Sequence, residues 1–263
     1  MPVQGEFFQN PGSGGGGFYD HQINHSVRFE EDASDKIART PSSSGNQRTF
    51  TVSFWLKRTV ITHSGNHMVI FGADVGASSN YWQLRLNNTD GFQIAANGGT
   101  EYIYDPLLRD TSAWGHYMVA YDNTQSTSTD RVKFYINGTQ ITDTSYATAP
   151  SQNFDTAMNQ SGVEQHLGIL RYASSTSDFA GYIAEFVIID GTAQAPTDLG
   201  ESKNGVWIPK DPSGLTFGTN GVYLKFENAS DLGNDSSGNN NDFTATNMPA
   251  DRQVLDSPTI GTG

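Results

Sequence analysis

The chain has 263 residues, no cysteine and a formal net charge of −13 at pH 7. The lack of cysteine excludes disulfides and thiolate zinc sites, and the acidity argues against nucleic-acid binding, because phosphate contacts require clustered Lys and Arg. No apolar run approaches the length needed to cross a bilayer, so we expect no membrane insertion. One large all-β domain is the default for a turn-rich chain of this size.

A glycine-rich segment lies close to the amino terminus. Gly14, Gly15, Gly16 and Gly17 form an unbroken run, and glycine gives up the most backbone freedom on ordering. We therefore predict an amino-terminal arm over residues 1–25, with a linker, that docks on an assembly partner. The segment also lacks the basic and apolar sections of a secretory signal, so we expect no export of that type.

From residue 26 onward, short apolar segments closed by Gly, Asn or Asp recur at the spacing of a sandwich or barrel. In FTVSFWLKR, Phe50, Val52, Phe54 and Leu56 fall on one face and alternate with the residues of the other face. This pattern predicts a strand with a distinct inside and outside. Further strands are predicted at HMVIFGAD, YWQLRLNN, GFQIAAN and WGHYMVAYD.

The segment RVKFYINGTQITD carries the sharpest turn signal. Asn137-Gly138 suits the two central positions of a type I′ turn, both of which need positive φ. Counting outward from the turn gives three cross-strand pairs, the last of which sets Phe134 opposite Ile141 on one face. The sequence therefore predicts a hairpin with a fixed register.

Two later segments complete the predicted sandwich. GYIAEFVIID is apolar on both faces, as a central strand covered from two sides would be. The turn-rich run DLGNDSSGNNNDFTATN connects two strand-like segments, and we predict that this terminal hairpin, residues 222–247, pairs with strands near residues 27–29 and 49–55. The predicted divisions are the arm (1–25), the main sandwich (26–200) and a carboxy-terminal segment that completes or wraps the same sandwich (201–263).

Four segments in order resemble the laminin-G-like and pentraxin-like branch of the concanavalin A-like lectin and glucanase superfamily: FTVSFWLKR, WGHYMVAYD, FYINGTQI and GYIAEFVIIDGTAQAP. The resemblance covers residues 26–200 and implies an all-β jelly-roll sandwich of two antiparallel sheets. In many members, the domain begins with two strands joined by an Asp-Ser-Ser-Gly-Asn turn. Here the corresponding unit comes last. The terminal hairpin would then fill the same place from the other end, as in a circular permutation.

A narrower resemblance covers residues 200–259, through VWIPKDPSGLTFGTNGVYLKF and DRQVLDSPT. Chains that combine a concanavalin A-like domain with this tail look like virion proteins of marine bacteriophages. The resemblance implies a non-enzymatic structural protein of the virion (capsid decoration, head fibre or tail fibre) with capsid or tail proteins as partners. It also implies a homo-oligomer, commonly a trimer in fibres and spikes, and host attachment through surface glycans. The alternatives are a stand-alone carbohydrate-binding lectin domain and, less favoured, a glycoside hydrolase.

Glucanases of the superfamily carry paired carboxylates on a Glu-x-Asp-x-x-Glu strand. The nearest match is Glu30-Glu31-Asp32-Ala33-Ser34-Asp35, which ends in Asp and lies in a polar segment that we interpret as a solvated loop. Glu185 lies between apolar residues without a partner acid on its strand face, so we expect it to accept local hydrogen bonds. The sequence therefore predicts no catalytic residues.

Metal sites receive weak support. His21 and His25, like His63 and His67, are four residues apart, which suits zinc only on a helix, and neither segment predicts one. Calcium is the cofactor left open, because oxygen-rich loops occur at residues 87–90 and 234–236.

Carbohydrate recognition calls for an exposed aromatic ring flanked by amide or carboxylate groups. Trp55, on the more polar face of its strand, is one candidate, although packing beneath the carboxy-terminal segment is the favoured alternative. Tyr81 alternates with Gln83 and Arg85 and forms the second candidate site. Trp82 alternates with leucines and is predicted to lie in the core.

Overall fold

A computed structural model describes residues 17–31, 33–61, 67–74, 80–169 and 178–260. Of the predicted linker glycines, Gly14, Gly15 and Gly16 lie outside these residues. The strands are β1 Ser26–Phe29, β2 Lys36–Arg39, β3 Thr49–Arg58, β4 Met68–Asp74, β5 Tyr81–Leu86, β6 Gly91–Ala96, β7 Thr100–Leu107, β8 Gly115–Asp122, β9 Val132–Ile136, β10 Thr139–Ile141, β11 Thr144–Thr148, β12 Glu164–Leu167, β13 Gly181–Asp190, β14 Gly200–Lys203, β15 Val206–Pro209, β16 Val222–Leu224, β17 Thr244–Thr246 and β18 Gln253–Val254. Short 3-10 helices occupy Asn97–Gly99, Ser128–Asp130, Pro196–Asp198, Pro212–Gly214 and Ala250–Arg252.

The strands form two large antiparallel sheets. Sheet I has the order β10-β9-β8-β3-β13-β1-β18, with β16 also beside β13, and sheet II has the order β11-β7-β6-β5-β4-β12-β2-β17. Strands β14 and β15 form a separate hairpin. This architecture confirms the predicted all-β jelly-roll sandwich. Over the described residues, no helix is long and apolar enough to span a membrane.

The core lies between the inner faces of the two sheets. Phe50, Val52, Phe54 and Leu56 of β3 all belong to it, which confirms the predicted face of that strand. Trp82 of β5 is 0% exposed, as predicted from its alternation with leucines. Aromatic rings of both sheets touch edge to face or stacked, a geometry that contributes about 0.5–1.5 kcal/mol per pair beyond burial.

The predicted type I′ hairpin is confirmed. Asn137 and Gly138 have φ of 48° and 75°, in the region that the turn requires. Close packing also requires glycine at this position, because a Cβ at Gly138 would collide with the ring of Trp207. The predicted register is also correct: Thr139 pairs with Ile136, Gln140 with Tyr135 and Ile141 with Phe134.

The terminal segment enters both sheets, but not beside the predicted strands. Strand β16 pairs with β13 through residues 186–188, beyond the part of β13 that pairs with β1, and β17 pairs with β2 in the other sheet. The prediction of pairing near residues 27–29 and 49–55 is therefore wrong. The physical reason is that β1 already occupies the first half of the β13 edge, so β16 continues the same line and the chain then crosses to sheet II.

One carboxylate organises the polar run between β16 and β17. Asp235 is mostly buried and accepts backbone N–H bonds from Tyr223, Ser237 and Asn241, each at 2.9 Å. Because a buried carboxylate must be satisfied by hydrogen bonds, it fixes both ends of the turn to β16. The run rich in Asp, Ser, Gly and Asn is thus an ordered crossover between the sheets.

Described residues near both ends of the chain, together with β15, lie on the outer face of sheet I. Ile23 packs with Trp55 and Ala184 on this face, and Trp207 of β15 packs against the same cluster. Near the carboxy end, Thr259 Oγ1 accepts the Ile23 N–H at 2.9 Å. The described ends of the chain therefore meet on one side of the sandwich.

A β-bulge interrupts β13 at Glu185. The pairing with β3 shifts between Ala184 and Val187, and Glu185 has a φ of 46°, which is unusual for a residue other than glycine. Ile183 and Phe186 face the main core, whereas Ala184 and Val187 face the outer clusters. The bulge therefore lets both halves of the strand keep their inward and outward faces while the Glu185 carboxylate stays on the outer side.

Candidate functional site

A depression of about 320 Å³ lies on the outer face of sheet II, opposite the face covered by the chain ends. It is formed where β5, β6 and β7 run side by side, near the turn between β6 and β7. We call it the Tyr81 depression. Its lining consists of Tyr81, Arg85, Ala95, Ala96, Asn97, Gly98, Gly99, Thr100 and Glu101.

Strand register brings four polar side chains of this face together. The pairs Gln83 with Ala95, Arg85 with Gln93, and Ala95 with Glu101 place these residues in adjacent rows. Arg85 Nε donates to Gln93 Oε1 at 3.0 Å and Arg85 Nη1 donates to Gln83 Oε1 at 3.3 Å. Gln93 Nε2 in turn donates to Glu101 Oε1 at 2.5 Å. The result is a continuous hydrogen-bonded row from Gln83 to Glu101.

Tyr81 supplies the aromatic surface of the depression. The residue is partly exposed, and its backbone N–H donates to Asn97 Oδ1 at 2.7 Å. Gly98 and Gly99 have φ of 74° and 79°, values that favour glycine, and they form the tight turn at the rim. The ring therefore stands beside a row of fixed polar groups, with no bulky side chain on the turn.

His67 is also electrostatically coupled to this row. Burial, together with the positive charge of Arg85, lowers the pKa of His67 to about 4. The imidazole is therefore neutral at physiological pH. Burial also lowers the pKa of Arg85, although the nearby Tyr81 and Glu101 act in the opposite direction.

A second depression, of about 540 Å³, lies on the same sheet beside β12, β2 and β17. No aromatic ring is among its described lining residues, and Glu164 there forms an ion pair with Lys36 at 3.2 Å. Since sugar faces stack on aromatic rings, the Tyr81 depression is the better candidate for a binding site despite its smaller volume.

Residues 32–197, well over half of the chain, match the family described as the concanavalin A-like lectin/glucanases superfamily. The chain belongs to this superfamily. Its resemblance to a laminin-G-like branch is consistent with the matching model, which carries the name Laminin G 3. No curated protein sequence matches the chain.

Several solved structures have a similar fold at low sequence identity. A candidate carbohydrate-binding protein from Bacteroides ovatus has a TM-score of 0.59 and 16% identity over 86% of this chain and 58% of its own. The heptameric SAP-like pentraxin of Limulus polyphemus has a TM-score of 0.47 and 11% identity, over 66% and 80% of the respective chains. The CBM40 of the Ruminococcus gnavus IT-sialidase has a TM-score of 0.43 and 15% identity, over 62% of this chain and 89% of its own. At these identities the likeness concerns the fold, and this chain spans little more than half of the Bacteroides protein.

The two predicted carbohydrate sites have different outcomes. Tyr81, Gln83 and Arg85 do share one outer face, as their alternation indicated, although Gln83 is mostly buried. Trp55 is only 5% exposed and contacts the ring of His116 at 5.1 Å between centroids. Trp55 is therefore not the exposed ring that the candidate site would need. The favoured alternative, packing beneath the carboxy-terminal segment, describes it better, because Trp207 of β15 and Ile23 pack against it. Sequence reasoning missed Gln93, Glu101 and His67, which become neighbours only through the strand register.

The carboxylates considered for hydrolysis are used structurally. Asp35 is 1% exposed and forms an ion pair with Arg252 at 2.9 Å, so the interpretation of its segment as a solvated loop is wrong at this residue. Glu185 accepts hydrogen bonds from Tyr223 Oη and His21 Nε2, both at 2.5 Å. This confirms the expectation that Glu185 accepts local hydrogen bonds.

The loops that suggested calcium do not present free carboxylates. Asp90 is 4% exposed and bridges Arg58 at 2.9 Å and Arg109 at 3.1 Å, while Asp235 is satisfied by backbone N–H groups of β16 and of its own turn. Such engaged groups do not fit a calcium site, which needs several unshared oxygens. In the parts of the chain that the structure describes, no group of three or more His, Asp or Glu side chains could hold a metal ion.

Of the two histidine pairs considered for zinc, one includes His63, which lies outside the described residues. In the other, His21 is hydrogen-bonded to Glu185. Burial lowers the pKa of His21, but the hydrogen bond and negative charge of Glu185 outweigh it, with Asp211 adding to and Lys225 opposing the effect. The net result is a pKa of His21 above its ordinary value. The arm is therefore attached to sheet I partly through a charge that depends on pH.

We expect the attachment of the arm to weaken as the pH rises. A raised folded-state pKa gives stability that is complete below the unfolded-state value of about 6.5 and is lost as the pH passes through the folded-state value. Hydrogen exchange of residues 17–25, corrected for intrinsic rates, should show greater protection at pH 6 than at pH 9. A His21→Gln variant should lose this difference, and an unchanged difference in the variant would contradict the role of His21.

Proposed function

We propose that the chain is a non-enzymatic, lectin-like adhesion protein that binds carbohydrate in the Tyr81 depression. The proposal is carried by the partly exposed Tyr81 ring next to Arg85 and Glu101, which the buried Gln83 and Gln93 hold in place by hydrogen bonds. A sugar offers a C–H face to an aromatic ring and hydroxyl groups to fixed donors and acceptors. Membership of the superfamily and the carbohydrate-binding description of the Bacteroides protein support it.

The carboxylates of the depression support the non-enzymatic part of the proposal. Glycoside hydrolysis requires two carboxyl groups that flank the scissile bond. Among the described residues that line the Tyr81 depression, Glu101 is the only carboxylate, and it accepts a hydrogen bond from Gln93. Sugar binding needs only the groups that line the depression, whereas hydrolysis would need a second carboxyl group there.

The proposed setting is the surface of a bacteriophage particle, as a capsid decoration, head fibre or tail fibre protein. Its support is the resemblance of residues 200–259 to phage virion proteins and the position of the arm. His21 and Ile23 lie on the outer face of sheet I, whereas the Tyr81 depression lies on the outer face of sheet II. Attachment to capsid or tail proteins through the arm would thus direct the depression towards a host-surface glycan. A homo-oligomer, such as a trimer, would multiply these contacts.

Removal of the Tyr81 ring should weaken glycan binding without unfolding the protein. We expect Tyr81→Ala to reduce affinity for a bound glycan by up to about tenfold, since an aromatic contact contributes about 0.5–1.5 kcal/mol. Glycan-array screening would identify the ligand, and titration calorimetry would measure the change.

Tyr146→Ala provides the matched control. Tyr146 is 49% exposed on the edge strand β11, so the variant removes an equivalent ring outside the Tyr81 depression. Equal losses in the two variants, or no glycan bound by the wild-type chain, would reject the proposed site.

The virion setting has its own test. Mass spectrometry of purified particles should find the chain at a fixed copy number relative to the major capsid protein. A chain absent from washed particles, but active in glycan binding, would instead favour the stand-alone lectin.

A further inference from the structure

The charge of Arg85 is held by neutral side chains. Its guanidinium is fixed by the side-chain oxygens of Gln93 and Gln83, at 3.0 Å and 3.3 Å, which are neutral groups. By contrast, the buried Arg58 and Arg252 each have a carboxylate at 2.9 Å or closer. Among the described residues, no carboxylate lies within ion-pair distance of Arg85.

Glu101 is the acidic residue whose charge acts on Arg85. It does not touch the guanidinium, because Gln93 lies between them and donates to Glu101 Oε1 at 2.5 Å. Arg39 also lacks an ion pair, but three carboxylates, of Asp190, Asp235 and Asp242, act on its charge. Arg85 is thus the less compensated of the two, in a chain whose net charge is −13.

The guanidinium keeps unused donors. Nε and Nη1 make the two bonds to glutamine, whereas Nη2 donates to no group of the described residues, and it is not among their buried atoms that lack a partner. A guanidinium fork matches the paired oxygens of a carboxylate or sulfate, and such charge-assisted bonds are about twice as strong as neutral ones. The glutamines orient the fork without neutralising it.

Partial burial makes this arrangement costly in the absence of a ligand. A cation that is partly removed from water loses solvation that only a counter-charge restores well. The Tyr81 ring, at the same depression, would hold the sugar that carries such a counter-charge. The arrangement therefore favours a charged ligand over a neutral one.

We propose that the Tyr81 depression recognises an anionic glycan, whose carboxylate or sulfate group pairs with Arg85. The inference rests on the proposed carbohydrate binding and narrows its ligand class. Uronates and sulfate esters both offer paired oxygens to the guanidinium. The experiment therefore tests carboxylate-bearing and sulfate-bearing glycans separately.

The experiment compares matched glycans by titration calorimetry with the full chain at about 0.15 M salt, where long-range repulsion is screened. Polygalacturonate and its methyl ester differ in the carboxylate, and chondroitin sulfate and desulfated chondroitin differ in the sulfate. We expect at least one anionic glycan to bind at least tenfold more tightly than its uncharged or desulfated counterpart.

Variants then assign the preference to Arg85. Arg85→Gln should lower affinity for the anionic glycan about 10–100-fold, as expected for a charge-assisted bond, and should lower affinity for its neutral counterpart less, because there it removes a neutral hydrogen bond and no charge pair. Arg85→Lys keeps the positive charge and should lose less affinity than Arg85→Gln. It also keeps the test open if Arg85→Gln does not fold. Arg28→Gln, on β1 of sheet I, is the matched control and should bind as the wild type does.

Each outcome has a distinct meaning. Equal affinity for charged and neutral partners, or wild-type affinity in a folded Arg85→Gln variant, would overturn the anionic ligand while carbohydrate binding stands. If the wild-type chain bound no glycan of either kind, the proposed function would fail and this inference with it.

Discussion

A chain that ends at Pro209 should fail to fold cooperatively. The deletion removes β16, β17 and β18, and it exposes inner residues of both sheets. The buried apolar side chains that it removes are Phe217, Val222, Tyr223, Leu224, Phe226, Leu232 and Phe243. At about 1.5–3 kcal/mol for each buried large side chain, the loss is comparable with the entire stability of about 5–15 kcal/mol of a domain.

Near-ultraviolet circular dichroism and urea unfolding would measure this result. The matched control ends at Ile260 and keeps every described strand, so it should unfold like the full chain. A cooperative transition and a dispersed NMR spectrum for residues 1–209 would show that the main sandwich is complete without its terminal segment. That outcome would remove the argument for a permuted arrangement.

Phe186→Ala should cause a large loss of stability. Phe186 is 0% exposed, and its ring lies 6.2 Å from that of Phe54 in sheet I and 4.9 Å from that of Phe71 in sheet II. Removing it leaves a cavity between the sheets and costs about 3–5 kcal/mol. For a chain of this size, the midpoint of thermal unfolding should fall by about 10 °C.

Phe186→Leu is the control for this prediction. It keeps most of the volume and should cost less than about 2 kcal/mol. Urea unfolding followed by tryptophan fluorescence would compare the free energies of unfolding. A cost below about 1 kcal/mol for Phe186→Ala would mean that the sheets can close over the cavity and that the ring does not join them.

Local sequence patterns predict much of this fold. Alternation locates β3 and β5 correctly, and Asn137-Gly138 fixes a hairpin with its register, because both signals act between residues close in the chain. The partners of β16 and β17 depend on which edges the earlier strands leave open. A sequence pattern contains no such information.

The candidate site, like the fold, could be predicted from the sequence only in part. Alternation places Tyr81, Gln83 and Arg85 on one face, but their contacts with Gln93 and Glu101 depend on the register of β5, β6 and β7. Trp55 follows the same rule on β3, and it is buried because distant segments cover it. A face pattern indicates the direction of a side chain, and only the tertiary structure decides whether that direction leads to solvent.

The bulge in β13 has a consequence for how the sequence can change. Because Ala184 and Phe186 already face opposite sides, a chain without Glu185 would restore two-residue periodicity and keep every other side chain of the strand on its present side. Loss of one residue elsewhere inside β13 would exchange core and surface for everything that follows. Glu185 thus occupies the position in this central strand where evolution could add or remove one codon and leave the inward and outward faces of the strand unchanged, although the buried Tyr223 hydroxyl would then need another acceptor.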